Sequence, residues 1–378
     1  MENRGNGFLS RLLPLLVMIH AAGCGHTGTM THRPALQAEQ TSIALVPEMI
    51  RVPAGIFKMG WDDLGDYTEL VAPYPAEKNI AVTPMGPIRL VELTQYYYIG
   101  LFEITNAEYC EMLNYALAQG LLTGNFADNE TVRNAQGNRQ ELLRLNADYE
   151  GKQCEIFFDG NRFAVKPGRE RYPVVYVSWY GAAFYCNMLG QSQGLAPLYN
   201  LEDWSCTFDG ETRFYGTPGY RLPTEAEWEH AARFDDDNLV YNRRMVPWES
   251  SGQKYFEESQ GGNDLTYFEP LVNFKTGRGT VPVDFHEAGR SKLGLYNLGG
   301  NVSEWAQDFY APYSYFAPYN GSDPEQNPIN DTSGVYRQRR GGSWLIYANN
   351  FPLTTFRTNT NWPYTSYCDL GFRIVKVH

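Results

Sequence analysis

The chain has 378 residues, a formal net charge of −12 at neutral pH, and 15% aromatic side chains, among them 27 tyrosines. This length is enough for one or two domains with a large core. The excess of negative charge argues against nucleic acid or an anionic membrane surface as a partner. Glycine and proline are abundant and helix-favouring stretches are few, which indicates a loop-rich α+β protein.

The N-terminus has the pattern of a secretory signal. Arg4 and Arg11 precede a short apolar run, 12–19, which is followed by small residues and Cys24. This order is typical of an exported protein, and a cysteine after Ala-Gly resembles a bacterial lipobox. We therefore predict a signal peptide over 1–23, lipid attachment at Cys24 and a polar tether over 24–48. The predicted location is the cell envelope, periplasmic or surface. The alternative is plain secretion with an unpaired cysteine. An uncleaved transmembrane anchor is disfavoured, because the apolar run is too short to span a bilayer.

Five cysteines remain after the predicted lipidation site. Export would permit disulfides, but five is an odd number and no CxxC pair is present, so the pairing stays open. Cys110 and Cys186 fall in predicted helices among apolar residues, where a free buried thiol is expected. The five are Cys110, Cys154, Cys186, Cys206 and Cys368.

The predicted domain covers 49–378 and opens with strands. Alternating apolar residues around a Pro-Ala-Gly turn predict a β-hairpin over 49–60, and a strand is expected over 88–98. Thr105 and Glu108 have the spacing of a capping box, in which each side chain satisfies a free amide of the first helical turn. The helix that follows should end near Gln119.

Residues 120–170 have the composition of an insertion. Within it, two short strands flank the turn Asp159-Gly160-Asn161, which predicts a hairpin over 154–165. A similar segment predicts a second hairpin over 206–214, and a strand is expected over 172–177.

Two further helices are predicted. Ser178 is a good N-cap for a helix over 179–189, and Thr224 with Glu227 forms a second capping box. Beyond that helix the chain is rich in Gly, Asn and Pro, so loops and short strands are expected to the end.

The glycine-rich stretch 294–305 is too polar for a core strand and too rich in glycine for a helix, which predicts a folded loop. Its Asn and Glu side chains and free backbone carbonyls are hard oxygen ligands of the kind that Ca²⁺ takes. The alternative is a tight turn with a capping Glu304 and a packed Trp305.

Seven motifs in one order resemble the formylglycine-generating enzyme (sulfatase-modifying factor) family, over roughly residues 49–376. The resemblance implies a fold with little regular secondary structure, divergently related to C-type lectins. The motifs lie at 52–60, 102–106, 173–179, 221–229, 294–305, 340–344 and 371–373.

The resemblance implies a calcium site. Asn297 and Glu304 would supply side-chain oxygens, and Gly300 and Val302 backbone carbonyls. A second calcium site of the family would fall near 273–274, but its acidic ligand is missing and Lys275 stands about where it would be, so that site is expected to be metal-free.

The catalytic part of the resemblance fails. The family oxidises a substrate cysteine to formylglycine with two cysteines that bind Cu(I), a metal that needs soft thiolates. Counted from the retained Ser343, their positions hold Ile346 and Phe351, so copper is not expected. Cys368 is the one thiol near in sequence. The family tryptophan inside the calcium loop is Ser303 here.

Other features have structural explanations. A disulfide of some family members is absent, because its positions hold Ala232 and Ile374. Capping explains Glu227, and helix N-terminal position explains the neighbouring carboxylates Glu225 and Glu229. Internal ion pairs are the preferred explanation for the arginine run 337–340.

The leading hypothesis is a membrane-tethered lipoprotein whose domain is a non-catalytic binding or scaffold module for an envelope protein or a glycan. Its candidate surface is the loop from Trp344 to Trp362, rich in Tyr, Trp, Asn and Arg, although these aromatics could instead fill the core. One alternative is a formylglycine-generating oxidase with an atypical site. Another is a carbohydrate or peptide binder.

Overall fold

The computed structural model describes residues of one compact unit, Glu39–His378. The predicted signal peptide, Cys24 and most of the tether lie outside the described residues. The described residues are 42–60, 88–208, 211–212, 215–235, 246–248, 269–274, 276–310, 323–331, 334–345, 354, 357 and 361–377.

Short strands dominate. In chain order they are β1 (Met49–Val52), β2 (Gly55–Met59), β3 (Arg89–Leu93), β4 (Tyr97–Gly100), β5 (Leu122–Thr123), β6 (Thr131–Asn134), β7 (Glu141–Arg144), β8 (Asp148–Tyr149), β9 (Lys152–Gln153), β10 (Ile156–Phe158), β11 (Phe163–Val165), β12 (Thr207–Phe208), β13 (Glu211–Thr212), β14 (Gly219–Arg221), β15 (Ser303–Phe309), β16 (Glu325–Gln326), β17 (Arg337–Arg340), β18 (Leu370–Gly371) and β19 (Val375–Val377). The α-helices are α1 (Asn106–Ala118), α2 (Trp179–Ser192) and α3 (Glu225–Ala232).

Two sheets bring distant parts of the chain together. An antiparallel sheet has the order β1-β4-β19-β14, so the last strand pairs with strands from the first and middle thirds. In the sheet β17-β15-β18, strand β15 is antiparallel to β17 and parallel to β18. The loop-rich α+β fold predicted from composition is confirmed.

All three α-helices in the described part of the chain begin at their predicted caps. The Oγ1 atoms of Thr105 and Thr224 accept hydrogen bonds from the amides of Glu108 and Glu227, whose carboxylates bind back to the cap amides. Ser178 accepts a hydrogen bond from the amide of Gly181 at the start of α2. Among the described residues, no helix has both the length and the hydropathy needed to cross a membrane.

Helix α2 is the centre of the larger hydrophobic cluster. Trp179, Ala183 and Leu189 are fully buried in it, and the faces of α1 and β7 pack against the helix. Ile43, within the predicted tether, also lies in this cluster. Glu111 of α1 accepts hydrogen bonds from the Ala44 and Leu45 amides, which attaches this segment to the domain.

The predicted insertion 120–170 forms its own small sheets but is not an appendage. Its hairpin is confirmed: β10 pairs with β11, and Asp159 Oδ1 accepts the amides of Asn161 and Arg162 in the turn. Leu143 and Phe163 are buried in the large cluster, so the insertion contributes to the core. The second predicted hairpin is also present, as β12 paired with β13.

Three strand predictions were wrong in detail. β1 and β2 do not form a hairpin, because β1 pairs with β4 and β2 with β3 in another sheet. The predicted strand 88–98 is two strands, β3 and β4, which enter different sheets. Residues 172–177 form only isolated bridges and no strand, and Tyr176 has a left-handed backbone with φ of 60°.

The glycine-rich stretch 294–305 is a loop only in its first part. Asn297 and Asn301 have positive φ, as a folded loop of this kind requires. From Ser303 the chain enters β15, which is buried between β17 and β18. The prediction of a loop throughout was therefore wrong for 303–305. The strand tolerates the buried carboxylate of Glu304 because Arg373 and Trp228 donate hydrogen bonds to it.

Candidate functional site

A buried polar cluster lies where the glycine-rich loop meets α3 and the C-terminal strands. Arg373, between β18 and β19, donates from Nε and Nη2 to the two oxygens of Glu304 on β15, each at 2.6 Å. Trp228 on α3 donates from Nε1 to Glu304 Oε2 at 2.7 Å. Arg373 also donates to the carbonyls of Gly100 and Tyr296. Both oxygens of Glu304 are thus engaged inside the protein.

Glu103 and Asn297 form the other half of the cluster. Asn297 Nδ2 donates to Glu103 Oε2 and to the Val283 carbonyl, each at 2.8 Å, and these two acceptors determine which end of the amide carries the oxygen. The remaining oxygens, Glu103 Oε1 and Asn297 Oδ1, are buried and have no hydrogen-bond partner. Two buried oxygens without a partner, on side chains that are hydrogen-bonded to each other, are an unusual and costly arrangement.

The electrostatics of this pair are unbalanced. Burial, followed by the negative charge of Glu304, raises the pKa of Glu103 to about 8, against the opposing influence of Arg373. Arg373 is fully occupied by Glu304 and main-chain carbonyls. Two ionised carboxyls would face only one guanidinium in this cluster, so the raised pKa favours the protonated form of Glu103.

Two of the four predicted calcium ligands, Asn297 and Gly300, are joined by a hydrogen bond in this region. Gly300 donates its amide to the Asn297 carbonyl at 3.1 Å and lies close to 272–273, where a Cβ would meet Val272 Cγ2 at 2.3 Å. Val302 is fully buried beside them. The unpartnered Asn297 Oδ1 suits a hard cation. Glu304 suits it less well, because its oxygens already accept three hydrogen bonds.

The position of the second calcium site of the resemblance is filled by hydrogen bonds. Asn273 donates from Nδ2 to the Gly279 carbonyl at 2.9 Å, and its Oδ1 accepts from Thr276. Lys275 lies outside the described residues. Within the described ranges, no group of three or more His, Cys, Asp or Glu side chains is arranged to hold a metal ion. A cation bound by the described residues would therefore need amide and carbonyl oxygens as ligands in addition to carboxylates.

Ser343 is buried in a second polar contact. Its Oγ donates to Asp369 Oδ2 at 2.7 Å and accepts the Leu345 amide at 3.3 Å. The positions that correspond to the copper ligands, Ile346 and Phe351, lie outside the described residues. Ser303, which stands where the family has tryptophan, is buried with no partner for its hydroxyl.

The five cysteines after Cys24 are all buried and free. Burial raises the pKa of Cys110, of Cys154 and of Cys368 to about 12, and that of Cys186 and Cys206 above the ordinary range. A thiol at Cys368 close to Ser343 is therefore held in its neutral form, which is a poor ligand for Cu(I).

The carboxylates at the start of α3 have partners that the sequence did not disclose. Glu225 binds Arg340 and Arg357, and Glu229 binds Arg340 and Arg233. Arg337, in the same arginine run, pairs with Asp331 and lies over the Trp179 ring. Internal ion pairs in the arginine run are confirmed for Arg337 and Arg340. These groups connect α3 to β17 and leave little charge for an external anion.

The candidate aromatic surface is divided between core and exterior. Trp344 is buried, and its Nε1 donates to the Cys368 carbonyl, so it fills the core. Trp362, Tyr364 and Tyr367 are 39%, 51% and 43% exposed. The Trp362 and Tyr364 rings are stacked with centroids 5.6 Å apart, and Tyr336 contacts Trp362 edge-on. We call Tyr336, Trp362, Tyr364 and Tyr367 the aromatic patch. Most of 346–360 lies outside the described residues.

Sequence reasoning missed Glu103, Trp228 and Arg373 as members of the buried cluster. All three lie inside motifs of the resemblance, at 102–106, 221–229 and 371–373. The available signal was that each of three separate motifs carries a polar or indole group, which needs a hydrogen-bond partner when it is buried in a core. Only the fold shows that they meet, since Glu103 and Asn297 are 194 positions apart.

Comparison with known proteins gives one consistent family. A model of the sulfatase-modifying factor enzyme 1-like domain matches residues 34–378. The formylglycine-generating enzyme of Mus musculus is 27% identical over 363 residues, which cover 91% of this chain and 79% of the mouse protein. The chaperone protein LppX of Paenibacillus barcinonensis is 30% identical over 226 residues, 55% of this chain and 71% of that protein.

A solved structure has the same fold. The Treponema denticola variable protein 1 superposes with a TM-score of 0.54 at 20% identity, and the match covers 89% of this chain and 97% of that one. At this identity the likeness concerns the fold alone.

Proposed function

The chain belongs to the family of sulfatase-modifying factor enzyme 1-like domains, and from this premise we propose that it is a lipid-anchored envelope protein whose domain binds a partner and does not make formylglycine. The observation that carries the proposal is the replacement of both copper-binding cysteines of the family by Ile346 and Phe351. An aliphatic and an aromatic side chain offer no ligand to a soft metal.

The thiols that remain support the same conclusion. Cys368 is the nearest in sequence to Ser343, and burial raises its pKa to about 12. The enzyme needs two thiolates at one place, whereas a protonated, buried thiol is inert as a ligand. The Ser343 hydroxyl donates a hydrogen bond to Asp369, so a structural role accounts for the retained serine.

The aromatic patch is the surface that we assign to partner binding. Exposed Trp and Tyr side chains in mutual contact are typical of the centres of interfaces. Main-chain hydrogen bonds hold the patch to the core, from Trp179 to the Pro363 carbonyl and from Tyr176 to the Tyr367 carbonyl, at 3.0 and 2.9 Å. One protein similar to this chain carries the name of a chaperone, so the similarity is not confined to proteins named as formylglycine-generating enzymes.

The predicted location at the cell envelope restricts the kind of partner that the domain can reach. A lipid at Cys24 would hold the domain at a membrane surface with the tether as spacer, so we propose an envelope protein or an envelope glycan as the partner. Calcium at the loop containing Asn297 would serve structure, because this loop leads into the buried strand β15.

Partner binding is tested by cross-linking in intact cells. A photoreactive group is placed at Tyr364, in the patch, and at Phe285, an even more exposed aromatic outside it. We expect a discrete cross-linked species from position 364 that is absent from position 285 and is lost when Trp362 is changed to alanine. Equal products from both positions would reject the patch as the binding surface.

A further inference from the structure

Residues 42–48, which we call the strap, lead from the predicted tether into β1 and are held firmly to the domain. The Ile43 side chain is 4% exposed and packs in the larger hydrophobic cluster. At the other end of the strap, the Glu48 carbonyl accepts the Leu101 amide at 2.8 Å. A segment that served only as a spacer would need neither contact.

Glu111 of α1 fixes the middle of the strap. Its Oε1 accepts the Ala44 amide at 2.7 Å, and its Oε2 accepts the Leu45 amide at 2.8 Å. Successive main-chain amides directed at one anion form a concave anion-binding arrangement, and hydrogen bonds to a carboxylate are stronger than those between neutral groups. The carboxylate therefore holds the strap backbone in one orientation relative to α1.

The strap presents two adjacent aliphatic side chains to the outside at this fixed position. Leu45 is 46% exposed and Val46 is 47% exposed. The Val46 amide donates to the Ala44 carbonyl at 3.1 Å, so the two residues lie in a turn. One exposed aliphatic side chain is ordinary, but two neighbours on a firmly held backbone leave apolar surface in water that an apolar phase could cover.

The position of the strap in the chain indicates which apolar phase covers Leu45 and Val46. Only residues 25–41 separate the strap from the predicted lipid at Cys24, and a chain of this length spans at most about 65 Å. The bilayer that holds the lipid is therefore within reach. Because the contact is apolar, it can form on neutral lipids, where the net charge of −12 causes no repulsion.

We infer that the strap lays the domain on the membrane that holds its lipid, with Leu45 and Val46 in contact with the bilayer and Glu111 as the positioning residue. This inference rests on the lipid anchor of the proposed function. It gives the anchored domain one orientation, in which the side that carries the strap and α1 faces the bilayer. The clamp is essential to this orientation, because a strap released from α1 would let the domain turn relative to the membrane.

The test measures which side of the anchored domain lies nearer the bilayer. The lipidated chain is placed in phosphatidylcholine vesicles that contain a lipid with a fluorescent acceptor on its headgroup. A fluorescent donor is attached at Ala118→Cys or at Gln326→Cys. Both positions are exposed, whereas the five cysteines after Cys24 are buried and should react poorly with the label.

The two donor positions lie on opposite sides of the sheet β1-β4-β19-β14. Ala118 ends α1, which packs in the larger hydrophobic cluster. Gln326 is in β16, which pairs with β3, and β2 and β3 pack in the smaller hydrophobic cluster on the other face of that sheet. We expect stronger energy transfer from position 118 than from position 326 when the strap is unchanged.

Glu111→Gln releases the strap by a small chemical change. The new side chain keeps one acceptor oxygen and puts an NH₂ donor against the other main-chain amide, so hydrogen exchange at Ala44 and Leu45 should be at least about tenfold faster. The excess energy transfer from position 118 should be lost. A double variant, Leu45→Ser with Val46→Ser, keeps the clamp but removes the apolar contact, and it should lose the excess transfer as well.

The matched control is Glu48→Gln, which makes the same chemical change within the strap. The Glu48 side chain is exposed, and its carboxylate accepts no hydrogen bond from the described residues. Hydrogen exchange at the two clamped amides and the excess energy transfer from position 118 should both stay at the wild-type level in this variant.

Two results would overturn the inference. One is equal energy transfer from positions 118 and 326 in a chain that is anchored to the vesicles. The other is an excess transfer that persists in Glu111→Gln or in the double variant. Neither result would alter lipid attachment or cross-linking through the aromatic patch, so failure here is distinct from failure of the proposed function. A chain that carries no lipid would overturn both.

Discussion

The roles of single residues in this protein depend on their contacts with residues that are distant in the sequence. Spacing within one motif identified Asn297 and Glu304 as a pair worth attention. It could not show that Arg373 would take both oxygens of Glu304, or that Glu103 would lie beside Asn297. Those contacts join residues 69 and 194 positions apart, and no local pattern encodes such a meeting.

The Glu304–Arg373 pair should be among the most sensitive contacts in the domain. Both side chains are almost fully buried, and loss of one partner leaves an uncompensated charge in the core. We expect Arg373→Met to lower the free energy of unfolding by about 3–5 kcal/mol, measured by urea denaturation. The control is Arg171→Met: the Arg171–Asp284 pair is 59% and 43% exposed, and its loss should cost less than about 1 kcal/mol. Equal losses would contradict this account of burial.

His230 gives the domain a pH dependence. Burial lowers the pKa of His230 to about 4, and neither ring nitrogen has a hydrogen-bond partner. The folded state keeps the ring neutral, whereas the unfolded state binds a proton below about pH 6.5. This contribution to stability is present above pH 6.5 and is lost as the pH falls towards 4, at up to about 1.4 kcal/mol per pH unit.

His230→Phe removes that titration and suits the surroundings, since the ring already packs against Phe57 at 4.8 Å. The variant should be more stable than the wild type, and the difference in melting temperature should widen between pH 6.5 and 4. Thermal unfolding followed by circular dichroism measures both. A difference in melting temperature that stays constant between pH 6.5 and 4 would show that His230 has the same pKa in the folded and unfolded states.

At the scale of elements, what could be predicted is what is local. The three helix starts, the hairpin β10–β11 and its Asp159 turn depend on residues within nine positions of each other, and all were predicted. The partners of β1 and β2 were not, because strand pairing is decided by which sheets assemble. The apparent hairpin at 49–60 was two strands whose neighbours lie elsewhere in the chain.

Helix α2 offers a matched test of packing with two glycines. A Cβ on Gly181 would lie 2.1 Å from the Leu142 carbonyl oxygen, whereas at Gly190 the nearest atom is 3.8 Å away. Gly181→Ala should therefore destabilise the protein, because the backbone of β7 must shift. Gly190→Ala should stabilise it by about 0.4–1 kcal/mol through reduced freedom of the unfolded chain. Denaturant titration of both variants is the measurement, and the same sign for both would contradict the assigned packing.

On the scale of the whole molecule, we propose an N-terminal lipid anchor followed by a domain without the copper chemistry of its family. Composition predicted the loop-rich α+β class, and motif order predicted the family, which the match over residues 34–378 shows. The described structure adds that Ile43 and the 120–170 segment are part of the core. The partner could not be predicted, because an exposed aromatic patch specifies a surface and not what covers it.

Lipid anchoring is tested on the intact protein in cells. We expect the wild-type chain to incorporate labelled palmitate and to enter the detergent phase on Triton X-114 separation. Cys24→Ser should abolish both, while Cys110→Ser, which alters a buried thiol in α1, should leave both unchanged. Labelling of Cys24→Ser at the wild-type level would reject the lipobox prediction.

The central claim is that the domain keeps the family fold without the family reaction. The most direct measurement loads the purified protein with copper, supplies oxygen and a sulfatase peptide that contains the target cysteine, and follows the peptide by mass spectrometry. A double variant, Ile346→Cys with Phe351→Cys, accompanies it as a test of restored ligands. We predict that the wild-type chain binds no copper and does not convert the peptide cysteine to formylglycine. Conversion by the wild type above that of Ser343→Ala would contradict it and would place an active copper site where these residues offer none.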